Sequence, residues 1–79
     1  LKDKSLIRNP ASRFAFITEG KQATLFIDGE HCATSRDFSE TLCQQRRIES
    51  NTLIALATED EQSLLIDLVN DGKLLSEGN

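Results

Sequence analysis

The side chains with the most potential for chemistry are one histidine and two cysteines, His31, Cys32 and Cys43. A protein-bound zinc or non-haem iron ion needs several such ligands that converge on one point. His31 and Cys32 are adjacent, so on a strand they would point to opposite faces. We therefore predict no metal site. His31 is expected at a strand edge, and the cysteines are expected as reduced, partly buried thiols, with a single disulfide as the alternative.

Three consecutive carboxylates, Glu59, Asp60 and Glu61, form the densest cluster of charge in the chain. Consecutive helical positions spread around the helix, so these groups would not converge on a cation. A calcium site would instead need a loop with alternating ligands. Thr58 and Glu61 match the Thr-x-x-Glu capping box, and acids in a first turn complement the helix dipole. This cluster therefore predicts a helix start, and no catalytic, cofactor-binding or metal-binding residue is assigned in this chain.

Short extended segments precede the helices. Residues 13–18 and 23–27 have the composition of strands, and each places apolar side chains on one face through the two-residue period. Gly20 lies in a turn between them, and Asp28-Gly29 is a strong signal for a tight hairpin turn. Residues 30–33 would then return as a third strand. We predict an antiparallel meander of three strands, which needs helices to cover one of its faces.

Three helices are predicted to follow. Thr34 or Ser35 is a suitable N-cap for the first, and Arg46 and Arg47 would lie at its end, where cations complement the dipole. An alternative interpretation of this pair is a basic spot for an acidic partner. A second, short helix is predicted over residues 52–57, after a buried connector at Ile48 and a cap at Ser50 or Asn51.

The third predicted helix is the longest and runs from the capping box to about Asn70. Gly72 would end it in the left-handed conformation, and residues 73–75 would return as a final strand. Its buried stripe is expected to consist of four apolar residues: Leu64, Leu65, Leu68 and Val69.

These elements predict an α+β, winged-helix-like domain, in which a small antiparallel sheet packs against three helices. A chain of 79 residues makes one domain at most. We place the domain over residues 10–76. Residues 1–9 are expected to be a linker or the end of a preceding element, because Pro10 disfavours helix at its neighbour. Residues 77–79 are expected to be a polar tail.

Charge is distributed unevenly along the chain and bears on possible partners. The net charge is −4, and residues 48–79 hold seven acids against one lysine, for −6. Binding to nucleic acid needs cations that displace counterions from phosphate, and the third helix has no Lys or Arg. We therefore expect no nucleic-acid partner. No apolar run is long enough for a membrane span, and reduced thiols would fit the cytoplasm.

Four segments of the sequence together resemble a known family: Arg-Phe-Ala-Phe at 13–16, Leu-Phe-Ile-Asp-Gly-Glu at 25–30, Leu-Cys-Gln-Gln-Arg-Arg-Ile at 42–48 and Leu-Leu-Ile-Asp-Leu-Val-Asn-Asp-Gly at 64–72. This succession is similar to the C-terminal winged-helix region of bacterial ribosomal oxygenases. Members of that family are cupin (JmjC-type) dioxygenases that use Fe(II) and 2-oxoglutarate. The bacterial members hydroxylate an arginine of a ribosomal protein. The resemblance covers roughly residues 10–76.

The resemblance implies a non-catalytic module of a larger oxidoreductase. The family's catalytic His-x-Asp/Glu…His motif lies in its cupin barrel, whereas His31 here is followed by Cys32 and Ala33. Fe(II) and 2-oxoglutarate are thus implied for the parent protein and not for this chain. The implied partners are the rest of the parent enzyme and a basic ribosomal protein segment. Because the first residue is not Met, we interpret the chain as a piece of a longer protein.

Two other functions stay open at this level: a stand-alone winged helix that binds DNA, and a protein-interaction domain of an unrelated assembly. The acidic third helix disfavours the first of them. The oligomeric state is left open by the sequence.

Overall fold

Two small antiparallel sheets and three helices make up the fold, which we describe from a computed structural model over residues 2–77. The elements in chain order are β1 (Ser5–Arg8), β2 (Phe14–Glu19), β3 (Gln22–Ile27), β4 (Glu30–Ser35), α1 (Arg36–Gln44), β5 (Arg47–Glu49), α2 (Ser50–Leu56), α3 (Glu59–Asn70) and β6 (Leu74–Glu77). The predicted α+β, winged-helix-like class is confirmed. The predicted single sheet is instead two separate three-stranded sheets.

The first sheet is the predicted meander, with strand order β2-β3-β4. Asp28 and Gly29 both have positive φ, 51° and 88°, which is the backbone of a type I′ hairpin turn. Leu25 and Ile27 of β3 are buried on the face that the helices cover. The tight turns and the two-residue period were therefore sufficient to predict this sheet.

The second sheet has the order β5-β1-β6, so its central strand is β1. We expected a linker or the end of a preceding element over residues 1–9, but residues 5–8 form this strand, and Leu6 is completely buried. The segment is too short to show a strand pattern, and both of its partner strands lie more than 35 residues away in the chain. Glu77, expected in the polar tail, ends β6. Gly78 and Asn79 of that tail lie outside the described residues.

The core lies between the two sheets and the three helices. Leu65 and Leu68 of α3 are buried, whereas Leu64 and Val69 are partly buried against the same core. The buried apolar side chains of the core cluster are Leu6, Leu25, Ile27, Phe38, Leu42, Ile48, Leu53, Leu65, Leu68 and Leu74. The predicted stripe of α3 thus faces the core, with its centre more buried than its margins.

The N-cap of α1 is one of the two residues predicted for it, whereas the C-terminal end of the helix differs from the prediction. Ser35, and not Thr34, is the N-cap, and its hydroxyl accepts the backbone N–H of Phe38 at 3.2 Å. The helix ends at Gln44, before the two arginines that were expected to complement its dipole. The cation at this end is Arg8 of β1.

Arg8 donates from Nη1 to the carbonyl oxygens of Leu42 (2.6 Å) and Gln45. It thereby satisfies carbonyl groups that the end of a helix leaves without partners. Arg47 lies in β5 instead, where its guanidinium pairs with Glu77 of β6 at 3.1 Å.

The second helix begins two residues earlier than predicted, at Ser50, and no side chain caps it. Ser50 instead binds the segment before β1: its N–H donates to the carbonyl of Lys4, and its hydroxyl accepts the N–H of Lys4. The predicted buried connector at Ile48 is a fully buried residue of β5. Over the residues described, no helix combines the length and the apolar character that crossing a membrane requires.

Candidate functional site

The predicted chemistry-bearing residues do not converge. His31 is exposed on β4, at the edge of the meander sheet, and its ring lies 6.1 Å from the ring centre of Phe26. Cys32 pairs with Leu25 in the ladder and therefore points to the opposite face. Within residues 2–77, no three His, Cys, Asp or Glu side chains lie close enough to hold a metal ion.

The two cysteines are free and half-buried, as predicted. Burial raises the pKa of the Cys32 thiol, and the nearby carboxylate of Glu61 raises it further. Burial likewise raises the pKa of Cys43, which Arg8 only partly offsets. The pKa of each thiol is therefore shifted in the direction opposite to that of a nucleophilic cysteine.

A concave surface forms a groove between α3 and β4. It consists of two adjoining cavities of about 340 and 230 Å³, which share Cys32 and Leu64 as lining residues. Leu25 and Leu68 line the second cavity, so the groove opens onto the apolar core. We call this surface the α3–β4 groove.

Carboxylates from both elements line the α3–β4 groove. Asp60 and Asp67 of α3 lie there and are exposed, as are Asp71 directly after α3 and Glu30 at the start of β4. The one Lys or Arg side chain in the two linings is Lys73, whose ammonium lies 3.8 Å from the carboxylate of Asp28. The groove therefore presents negative charge beside an apolar strip.

Glu61 closes one end of the groove and is only 4% exposed. The predicted capping box is present: the Thr58 hydroxyl accepts the N–H of Glu61, and the Glu61 carboxylate accepts the N–H of Thr58 at 2.9 Å. The other carboxylate oxygen accepts the N–H of Ser35 at 2.6 Å. One side chain thus caps α3 and also ties it to the start of α1.

The bond between Glu61 and Ser35 was not predictable from the sequence. The two residues are 26 positions apart, and a capping-box motif does not indicate that its glutamate also accepts a hydrogen bond from a distant N–H group. Next to it, the buried hydroxyls of Thr34 and Ser39 bond to each other at 2.5 Å. The bond from Ser35 to Glu61 ties α3 to the end of β4 at this end of the groove, and the bond between Thr34 and Ser39 ties β4 to α1.

The third helix occupies the position that reads DNA in many winged-helix proteins. Here it contains four acids and no Lys or Arg, and Asp71 follows it directly; four of these five carboxylates are exposed. These four carboxylates would repel phosphates at close range. The arrangement suits a cationic partner better than a nucleic acid.

Three helices, small antiparallel sheets and an intervening groove define this chain as a winged-helix domain of the α+β class. The family model described as "ROXA-like winged helix" matches residues 1–74. Because the match spans most of the chain, the chain belongs to this family, and it is an accessory domain of ROXA-type proteins. No significant match was found among curated proteins or among solved structures.

Proposed function

We propose that this domain is the non-catalytic accessory part of a larger cupin-type oxygenase that hydroxylates an arginine of a ribosomal protein in the cytoplasm. The observation that carries the proposal is membership of the ROXA-like winged-helix family over residues 1–74. The resemblance of four segments to the C-terminal region of bacterial ribosomal oxygenases supports the same parent protein.

The proposal assigns Fe(II) and 2-oxoglutarate to the cupin part of the parent enzyme. A non-haem iron centre of this type needs two histidines and a carboxylate on one face of the metal. This chain has a single histidine, and no suitable cluster occurs in the described part of the chain. The side chains of this domain therefore do not fit the metal, and no step of the reaction is assigned to them.

Two contributions to the parent enzyme follow from the surfaces of the domain. Exposed apolar side chains, among them Ile17 and Leu75, provide area for packing against the rest of the parent enzyme. The acidic α3–β4 groove supports the second contribution, which is attraction of a basic ribosomal protein segment. A role in DNA binding receives no support from α3.

The experiment compares the full-length parent enzyme with a form that lacks this domain. We expect the truncated enzyme to retain iron-dependent turnover of 2-oxoglutarate, while arginine hydroxylation of the ribosomal protein, followed by mass spectrometry, decreases. The isolated 79-residue chain should show neither activity. Hydroxylase activity in the isolated chain, or a parent protein without a cupin domain, would contradict the proposal.

A DNA titration tests the competing function. Fluorescence anisotropy with random duplex DNA at two salt concentrations should show no appreciable binding to the 79-residue chain. Submicromolar binding with a steep salt dependence would instead favour the DNA-binding function.

A further inference from the structure

One edge of the meander sheet faces the α3–β4 groove with backbone groups available for pairing. The hairpin turn at Asp28-Gly29 makes Ile27 and Glu30 a hydrogen-bonded pair, and such pairs alternate along an antiparallel ladder. Cys32 and Thr34 therefore bond to β3. The N–H and C=O groups of His31, Ala33 and Ser35 point away from the sheet.

Two hydrogen bonds confirm this alternation. The N–H of Arg36 donates to the carbonyl of Lys21 at 2.9 Å, as expected for the next residue after Thr34 whose backbone points towards β3. The N–H of Ser35 points outward and donates to the carboxylate of Glu61. Nothing in residues 2–77 pairs in this way with the outward groups of His31 and Ala33.

The groove also supplies a surface for the side chains of an added strand. Alternate side chains of such a strand would lie beside Glu30, Cys32 and Thr34, on the face that looks towards α3. Leu64 and Cys32 provide apolar contact for the stems of long side chains, and Asp67 and Asp71 lie where their charged ends would reach.

We propose that the α3–β4 groove binds an extended, Lys- or Arg-rich polypeptide segment that pairs with the outward backbone groups of His31 and Ala33 as a fourth strand of the meander sheet. The backbone pairing accounts for an extended conformation, and the carboxylates account for basic side chains at alternate positions. The inference rests on the proposed function only in that a basic ribosomal protein would supply such a segment.

The same sheet offers a matched control at its other edge. On β2 the backbone N–H and C=O of Thr18 also point outward. Glu19 and Gln22 flank a two-residue turn and form a hydrogen-bonded pair, so the next pair, Thr18 with Ala23, is not hydrogen-bonded. Neither lining of the α3–β4 groove contains a residue of β2. Proline is tolerated where an edge N–H faces away from the sheet, so Ala33→Pro and Thr18→Pro each remove one outward donor.

The test uses the 79-residue chain and a peptide of about eight residues with alternating Lys and Thr and one terminal Trp. The chain has no Trp or Tyr, so the emission of the peptide indole reports binding without interference. A second peptide of the same sequence carries N-methyl groups on alternate amides, which leaves its charge unchanged but blocks strand pairing. Amide NMR shifts of the protein locate the bound peptide.

We expect binding of the unmodified peptide, with the largest shifts at His31 and Ala33, and a loss of at least about fivefold in affinity on N-methylation and in Ala33→Pro. Thr18→Pro should bind as the unmodified chain does. Asp67→Asn with Asp71→Asn should weaken binding about fivefold at low salt, whereas Glu19→Gln with Asp37→Asn, which changes the net charge equally, should not.

Equal binding of the two peptides would overturn the proposal, because it would show attraction by charge without strand pairing. Shifts confined to β2, or equal losses in the two proline variants, would also overturn it. The proposed function is tested separately by truncation of the parent enzyme, so either idea can fail while the other stands.

Discussion

Removal of the Glu61 carboxylate should destabilise the domain more than removal of any other acid of α3. This side chain is buried, and its two oxygens accept the N–H groups of Thr58 and Ser35. In Glu61→Ala both donors lose their partner, and the bond between the start of α3 and the start of α1 disappears. The neighbouring Glu59 is exposed in the same helical turn and serves as the matched control.

The magnitude follows from these contacts. A hydrogen bond to a charged group contributes about 1.5–3 kcal/mol, and the two bonds share one carboxylate, so their values do not simply add. The open cavity of about 340 Å³ beside Glu61 lets water reach part of the exposed backbone. We therefore expect Glu61→Ala to lower the free energy of unfolding by about 2–3 kcal/mol. Glu61→Gln retains one acceptor oxygen and should cost about 1–2 kcal/mol.

Urea unfolding followed by far-UV circular dichroism measures these changes, since the chain has no Trp or Tyr for fluorescence. A domain of this size has about 5 kcal/mol of stability, so Glu61→Ala should remain folded with its melting temperature lowered by about 8–24 °C. Glu59→Ala should cost about 0.3–1 kcal/mol through the helix dipole alone. If the two alanine variants are equally stable, the contact between Glu61 and α1 contributes nothing and this reasoning fails.

Three further substitutions and one measurement of thiol reactivity test other features of the fold. Leu68→Ala should lower the free energy of unfolding by about 2–5 kcal/mol because Leu68 is buried in the core, and a loss below about 1 kcal/mol in urea unfolding would contradict its assignment. Arg8→Met should cost about 1–3 kcal/mol by leaving carbonyls at the end of α1 without a donor, measured in the same way; a neutral result would contradict the cap. The pKa of Asp28 is lowered below 3.8, mainly because its carboxylate accepts the backbone N–H of Arg13. The stabilisation of the folded state by this carboxylate should therefore be present above pH 3.8 and be lost as the pH falls through the folded-state pKa. In Asp28→Asn, urea unfolding should show a weaker decrease of the free energy of unfolding over this pH range. Cys32 and Cys43 should react with iodoacetamide more slowly in the folded chain than in urea, because burial is the main cause that raises the pKa of each; equal rates would contradict it.

Elements with strong local chemistry were predictable from the sequence. The hairpin turn at Asp28-Gly29 needs positive φ at both residues, and few other dipeptides suit it so well. The capping box of Thr58 and Glu61 and the stop at Gly72, with a φ of 76°, fixed both ends of α3 within a residue. In each case the signal and the structure involve residues no more than a few positions apart.

Elements that depend on distant partners were not predictable in this way. Strand β1 has four residues, and its place between β5 and β6 depends on pairing with segments that follow the meander. Arg8 binds the end of α1 although Arg46 and Arg47 are nearer in sequence, because β1 lies beside that end of the helix. The α3–β4 groove likewise requires the relative position of two elements, which no local pattern encodes.

The carboxylates of the groove fall into two groups with separate tasks. Glu61 already accepts two backbone N–H groups, so its oxygens are committed to holding α3 against the start of α1. Asp67 and Asp71 are exposed and form none of the side-chain hydrogen bonds or ion pairs found within residues 2–77. Their charge is therefore available to a cationic partner at little expense in stability. Substitution of these two aspartates should consequently separate recognition from folding, which substitution of Glu61 cannot do.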